Sequence, residues 1–410
     1  MTFFSDFKTS LITRFLEEID RHGMVWFIKR LSGNDTGLTG GHQSGLYIPR
    51  DFAELVAPEV CRKDRYNPEV FIKSCYMPNA DFTAEKVRVV YYNSKHFPER
   101  NLKKKYDEFR MTRLGGNSSP FHNIENTGSI CIFAVSRTGD ELAAVAWVAS
   151  SLEEENTIES WLGHEVDPAR MVLSQAPIPL DKPAIPLCTI PEAWLKKFPK
   201  GEEIFKVVLE KLPRHTWRTA IDDLLLKRRE LEYKIFELIE QAEVLPVIKS
   251  GFTSVEEFIK YSHSVSNRRK SRTGTSLELN LEVLFNDEKL QFETQVRTEN
   301  RKTADFLFPS GKAYKDLSFP EHHLKMLAAK TCCKDRWRQV ISEADRIKTK
   351  HLFTLQEGIS GNQLQEMKDN NVQLIIPGSY KNMFPSVWRD SLLSLQDFVN
   401  LIKTEQSSGR

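Results

Sequence analysis

Five prolines fall within residues 177–191, at Pro177, Pro179, Pro183, Pro186 and Pro191, and no helix or central strand can run through them. Each lacks an amide hydrogen and fixes φ at about −65°. The stretch is therefore expected to be a semi-rigid connector, and the chain to fold as two bodies. The expected boundaries are a first domain at residues 1–176, a linker at 177–191 and a second domain at 192–410. A chain of 410 residues has room for two or three domains at about 100–200 residues each.

The texture of the sequence differs on the two sides. An amphipathic helix is predicted over Asp6–Arg21, with Phe7, Leu11, Phe15 and Ile19 spaced four apart. After it come short apolar runs, MVWFI, GLYI, VFIKSCY, VRVVYY, SICIFAV and LAAVAWVAS, separated by Gly, Asn, Asp and Pro clusters. That pattern predicts an all-β barrel or sandwich. Beyond the prolines, IDDLLLKRRELEYKIFELIEQAEVL and SVEEFIKYSHSV predict helices. The pieces FETQV, ADFLF, LKMLAAKT, HLFTL and VQLIIP then predict strands, alternating with helical DRWRQVISEADRI and NQLQEMKDN. Strands alternating with helices imply a mixed α/β sheet covered on both faces.

Charge narrows the function classes. Lys and Arg total 58 against 56 Asp and Glu, so no general polycation drives binding to nucleic acid and any such surface is local. The six cysteines form no CxxC pair, which argues against a zinc ribbon and a disulfide framework and fits a reducing, cytoplasmic setting. The N-terminal MTFFSDFKTSLITRFLEEIDRHG lacks the apolar run of a signal peptide or membrane span, so no membrane association is expected.

The chemistry concentrates between Asp305 and Glu343. Asp305 opens an apolar strand after the polar turn ENRKTA, Lys330 ends the run LKMLAAKT, and Glu343 is expected on a helix starting near Asp335. There it would sit beside the core stripe Trp337, Ile341 and Ala344, on the side of Arg336. Two hard carboxylates and an ammonium suit Mg2+ and a phosphate. The same three residue types also occur as ordinary salt-bridged surface groups, and spacing alone leaves both readings open.

The runs SVSNRRKSRTGTSLELNLEVLF, ADFLFP, LAAKTCCKDRWRQVISEADRI and HLFTLQEGIS resemble the catalytic domain of the EcoRII-type restriction endonucleases. IKRLSGNDTGLTGGHQSGLYIP and YYNSKHF are similar to the amino-terminal effector domain of the same enzymes. The resemblance implies a type IIE restriction enzyme that cuts double-stranded DNA at CCWGG, where W is A or T. It implies a B3-like all-β DNA-binding pseudobarrel ahead of an α/β PD-(D/E)xK nuclease domain. It makes Asp305 and Glu343 the Mg2+ ligands, Lys330 the catalytic lysine and Glu278 a supporting acid. Ala304 stands where the family usually has Pro, and Ala328 where the wider superfamily places its second acid, a role Glu343 takes over. Lys334, Asp335 and Arg336 would read G·C pairs, since Arg and Lys donate to guanine and a carboxylate accepts from cytosine. Taken alone, the trio is better read as a helix start with Asp335 as N-cap and two solvated cations. Arg229 and Tyr233, one helical turn apart, match the pair that stacks on a flipped base; without the resemblance they are an exposed helix face. The run NRRKSR offers phosphate contacts or a solvated face. In the effector domain, His42 and Tyr47 lie in a Gly-rich loop, while Lys105, Glu108, Arg110 and Arg113 lie in a second polar loop that departs from the family pattern across residues 103–109. Together they would grip another copy of the site. A homodimer, autoinhibition by the effector domain and pairing with a cytosine methyltransferase complete what the resemblance implies. A DNA-binding regulator that keeps the nuclease fold only for dimerisation is the alternative, and a structure-specific repair nuclease a weaker one.

Overall fold

The computed structural model describes residues 11–40, 45–100, 105–139, 141–168, 170–174, 190–195, 197–214, 220–334 and 336–408. His42, Asp335 and the linker prolines Pro177 to Pro186 lie outside them.

The first half is built on one eight-stranded sheet. Its strands are β1 (Val25–Arg30), β2 (Leu46–Ile48), β3 (Glu69–Met77), β4 (Phe82–Tyr92), β5 (Glu108–Thr112), β6 (Ile130–Thr138), β7 (Glu141–Val148) and β8 (Met171–Leu173). The order is β2-β5-β4-β3-β7-β6-β1-β8, antiparallel except where β3 meets β7. Leu46 and Ile48 from one end of the sheet share a buried cluster with Phe27 and Phe133 near the other end. Only a curled sheet lets both ends reach one core. The outer face is covered by helices α1 (Leu11–Arg21) and α3 (Leu152–Leu162), with Phe15 of α1 against Trp147 of β7 at 5.3 Å between ring centroids. A short helix α2 (Arg50–Val56) follows β2 and buries Phe52.

Three local readings change here. The buried stripe of α1 is Ile12, Phe15, Leu16 and Ile19, and Leu11 faces out. The segment carrying Glu108 and Arg110 is strand β5, not a loop, because its backbone pairs with both β2 and β4. Helix α3 was hidden in LEEENTIESWL; Ser151 caps it by accepting from the Glu154 amide.

The second half centres on six strands: β9 (Glu293–Arg297), β10 (Thr303–Phe308), β11 (Lys325–Lys330), β12 (Lys350–Thr354), β13 (Val372–Ile376) and β14 (Leu393–Ser394). They lie in reverse numerical order; β9, β10 and β11 run antiparallel, while β11 to β14 run parallel. Helix α4 (Gly201–Lys211) packs on a hairpin of two long helices, α5 (Ile221–Ser250) and α6 (Val255–Asp287). These long helices and α10 (Leu395–Ser408) cover one sheet face. The other face is covered by α7 (Gly311–Lys315), α8 (Trp337–Val340), α9 (Gly361–Asp369) and the turns between them.

Helix α6 runs unbroken through NRRKSR, where the sequence predicts only a shorter piece. Its arginines face α5: Arg268 pairs with Glu243 at 2.9 Å and Arg269 with Glu240 at 2.7 Å. Helix α8, predicted to extend to Ile347, stops after one turn. Side chains capture the amides that would continue it: Thr298 accepts from Ala344, Glu299 from Asp345 and the Tyr314 hydroxyl from Arg346. Ala344 takes φ +50° as a result. No helix among the described residues is long and apolar enough to cross a membrane, and the five described cysteines are free thiols.

Candidate functional site

Sheet register explains why Asp305 and Lys330 meet. Phe306 pairs with Leu327 across the antiparallel β10/β11 ladder, which carries Asp305 one step on, toward Ala328. Residues directly opposite share a face, and so do residues two apart on a strand. Asp305, Ala328 and Lys330 therefore project together. Asp305 Oδ2 accepts from the Ala329 amide at 2.9 Å and from Lys330 Nζ at 3.1 Å. The β11–β12 connection packs over that same face, anchored by Trp337 at 1% exposure. A buried aromatic of this size is worth about 3–5 kcal/mol by truncation.

Glu343 reaches the site from a turn, not from the predicted helix, held by its amide donating to Val340 O at 3.0 Å. Its Oε2 is buried and accepts no hydrogen bond. Burial pushes its carboxyl up to about 7, with nearby Asp305 adding to the rise and Lys330, Lys302 and Lys350 opposing it. Glu278 comes from α6, and Gln295 ties it to the strand: the Gln295 amide donates to Glu278 Oε2 at 2.9 Å and to Asp305 Oδ1 at 3.5 Å. Burial, then Asp305, raises the Glu278 carboxyl.

Among the described residues no three His, Cys, Asp or Glu side chains gather as a closed metal cage. The donor set is two carboxylates beside an ammonium, with one buried oxygen left unpaired. It fits a hard cation that keeps waters and substrate phosphate in its remaining positions.

Of the base-reading and base-stacking candidates, Lys334 and Arg229 are buried and Arg336 and Tyr233 are half-buried. Lys334 is 7% exposed and its Nζ donates to Ser129 Oγ of the first half. Arg336 begins α8 as its N-cap residue and meets Glu159 and Glu165, each at 3.5 Å. Arg229 is buried between Ser276 at 3.1 Å and Asp167 at 3.3 Å, which rules out a merely exposed helix face. Tyr233 carries the Arg170 guanidinium 3.2 Å from its ring centroid and that of Arg272 at 4.6 Å. Each of these four residues thus has a partner from the first half.

In the first half Tyr47 and Arg110 are opposite one another on β2 and β5 and line one cavity of about 290 Å3. Arg110 is 8% exposed, paired with Glu108 at 2.9 Å and donating to Gly45 O at 3.2 Å. Lys105 is exposed and Arg113 lies over the Phe71 ring; neither lines that cavity.

Sequence reasoning missed Gln295 and the acidic residues Glu159, Glu165 and Asp167. Gln295 carried a faint signal as a polar residue inside FETQV, opposite Asp305. The others act across sequence separations that periodicity does not reach.

Comparison with known proteins adds the family. Residues 20–177 match the model for "Restriction endonuclease EcoRII, N-terminal" and residues 236–399 that for "EcoRII C terminal". The chain is 41% identical over 406 residues to the Type II restriction enzyme EcoRII of Escherichia coli, covering 95% of this chain and 96% of that protein. Among solved structures, metal-depleted Ecl18kI in complex with uncleaved DNA, with and without modification of that DNA, aligns at 18% identity and a TM-score of 0.44, over 52% of this chain and 81% of that one. A match to both domain models in order, with full-length identity at this level, means that the chain belongs to the EcoRII family of type II restriction endonucleases.

Proposed function

We propose that this chain hydrolyses phosphodiester bonds of double-stranded DNA at CCWGG, using Asp305, Glu343, Lys330 and Glu278, and that its first domain is a regulatory effector. The observation that carries the reading is the convergence of Asp305, Lys330 and Glu343 on one face, with Glu343 Oε2 buried and unpaired. Asp305 and Glu343 would hold Mg2+, which when bound polarises the phosphoryl group and lowers the pKa of a coordinated water. The Ala329 amide fixes the Asp305 carboxylate, and Asp305 in turn holds the Lys330 ammonium where charge develops on the scissile phosphate. Glu343 must shed the proton that burial favours before it can act as a ligand. A regulator using this fold only to dimerise would have no reason to bury an unpaired carboxylate oxygen, so the nuclease reading is preferred.

Lys334 and Arg336, with Asp335 between them, would read the G·C pairs, and Arg229 with Tyr233 would stack on a flipped W base. A homodimer matches a twofold DNA site. The first domain, a B3-like barrel in this reading, would grip a further site copy through His42, Tyr47, Lys105, Glu108, Arg110 and Arg113. Closure over the reading face by Ser129, Glu159, Glu165, Asp167 and Arg170 supports autoinhibition. The domains would divide at residues 177–191, with the proline-rich connector as hinge. A partner cytosine methyltransferase and a cytoplasmic location follow from the same reading.

The test is incubation with plasmid DNA and Mg2+ followed by mapping of the ends. Cuts confined to CCWGG sites and abolished by a chelator are expected. Intact plasmid, or ends scattered over unrelated sequence, overturns the reading.

A further inference from the structure

A turn of the catalytic half enters the effector half where its proposed DNA contacts lie. The cavity of about 290 Å3 that Tyr47 and Arg110 share is also lined by Lys29, Asp35, Arg170 and, from the far side of the chain, Glu357. Glu357 sits just after β12, and its carbonyl accepts from the Gly33 amide at 3.1 Å. Burial pushes its carboxyl up to about 7; Lys29 opposes the rise, while Asp35 and Asp167 add to it. Lys29 and Asp35 are themselves a buried pair at 2.6 Å, and the Tyr47 amide donates to Asp35 at 3.1 Å. The cavity is thus a built polar site with a carboxylate of the other domain inside it.

The preceding residue faces the other way. Gln356 is 1% exposed, and its Oε1 accepts from the Cys333 amide at 3.1 Å, the Lys334 amide at 2.9 Å and the Cys332 thiol at 3.2 Å. Its Nε2 donates to Gly358 O at 3.0 Å. Gln356 therefore fixes the backbone from which Lys334 and Arg336 project. Two adjacent residues touch both surfaces assigned to DNA.

We infer that Gln356 positions the base-reading run and Glu357 couples it to the effector cavity, so that DNA entering the cavity displaces Glu357 and shifts Gln356. This rests on the effector reading of the first domain. Duplex DNA brings one negative charge per about 1.7 Å of axis, and a carboxylate lining the same cavity is repelled as phosphates reach its mouth. Withdrawal of the turn pulls on Gln356, and through it on the Cys333 and Lys334 amides.

Two variants of the full-length protein test this, Glu357→Ala and Glu357→Gln, on plasmids carrying one or three CCWGG sites. Both are expected to raise the one-site cleavage rate on the order of tenfold, within the usual span for coupled sites, and to leave the three-site rate unchanged. An unchanged one-site rate in either variant overturns the inference. If the native enzyme cuts both plasmids equally fast, it is the effector reading itself that fails. Hydrogen exchange read by mass spectrometry, with duplex present and no divalent ion, gives a second measurement. Exchange across residues 332–334 is expected to quicken in the native protein and to be fast without duplex in Glu357→Ala; no difference between them counts against the coupling.

Discussion

The proposed catalytic pocket and the proposed base-reading face meet at Lys330 and Lys334, four positions apart, and are treated in opposite ways. Asp305, Lys330 and Glu278 find their partners within their own half, and Glu343 keeps an oxygen with none. Lys334, Arg336, Arg229 and Tyr233 are each held by a residue of the other half. On the proposed function, the reacting groups are assembled and the surface that would bring DNA to them is covered. Control of this proposed kind would deny substrate and leave the reacting groups undistorted, because an occupied ion pair must be exchanged before a phosphate or base can take its place.

Three substitutions probe that contrast. Lys330→Ala strikes the assembled pocket and should lower cleavage by at least on the order of 10²–10³-fold, with DNA affinity in mobility-shift assays unchanged; wild-type cleavage would break the comparison at its root. Gln295→Gly comes next. Gln295 holds φ +52°, a strained value that glycine adopts freely, so the melting temperature should hold or rise. Cleavage should nonetheless fall about 10–100-fold, the usual cost of removing a group that orients metal ligands, with KM for DNA unmoved. Unaltered cleavage would make Gln295 a bystander. The smallest effect is expected from Asp167→Asn, which loosens one tie on the reading face. The one-site rate should rise about two- to fivefold, a change in barrier on the order of 1 kcal/mol or less, while the multi-site rate stays put. A fall in both rates would show that Asp167 serves folding instead.

The six-stranded sheet of the second half is legible in the sequence because its strands are short apolar runs bounded by polar turns; β9 to β13 fall on the segments predicted for them. Asp305 and Lys330 were legible for the same reason, since strand position fixes direction. Glu343 was placed on the wrong element because WRQVISEADRI has helical periodicity, while the groups that end the helix, Thr298, Glu299 and Tyr314, lie about thirty to forty-six residues upstream. The basic run NRRKSR reads as a phosphate contact or a solvated face because nothing local names its partners, Glu240 and Glu243 on the neighbouring helix. Strand β5 passed for a loop because it is short and polar; only pairing with β2 and β4 makes it a strand. The contacts between the halves were invisible in principle: Lys334 meets a serine 205 positions away.

Three glycines lie where the two halves press together. A methyl group at Gly33 would stand 2.6 Å from the Met383 carbonyl oxygen, one at Gly358 would stand 3.1 Å from Thr127, and Gly128 has no space beside Gln356. Such a seam offers evolution no dial. Drift at Gly33 meets a main-chain oxygen that has little room to give, so gradual adjustment of the contact between the halves falls more easily to the charged pairs around the seam, where one carboxylate can be traded at a time.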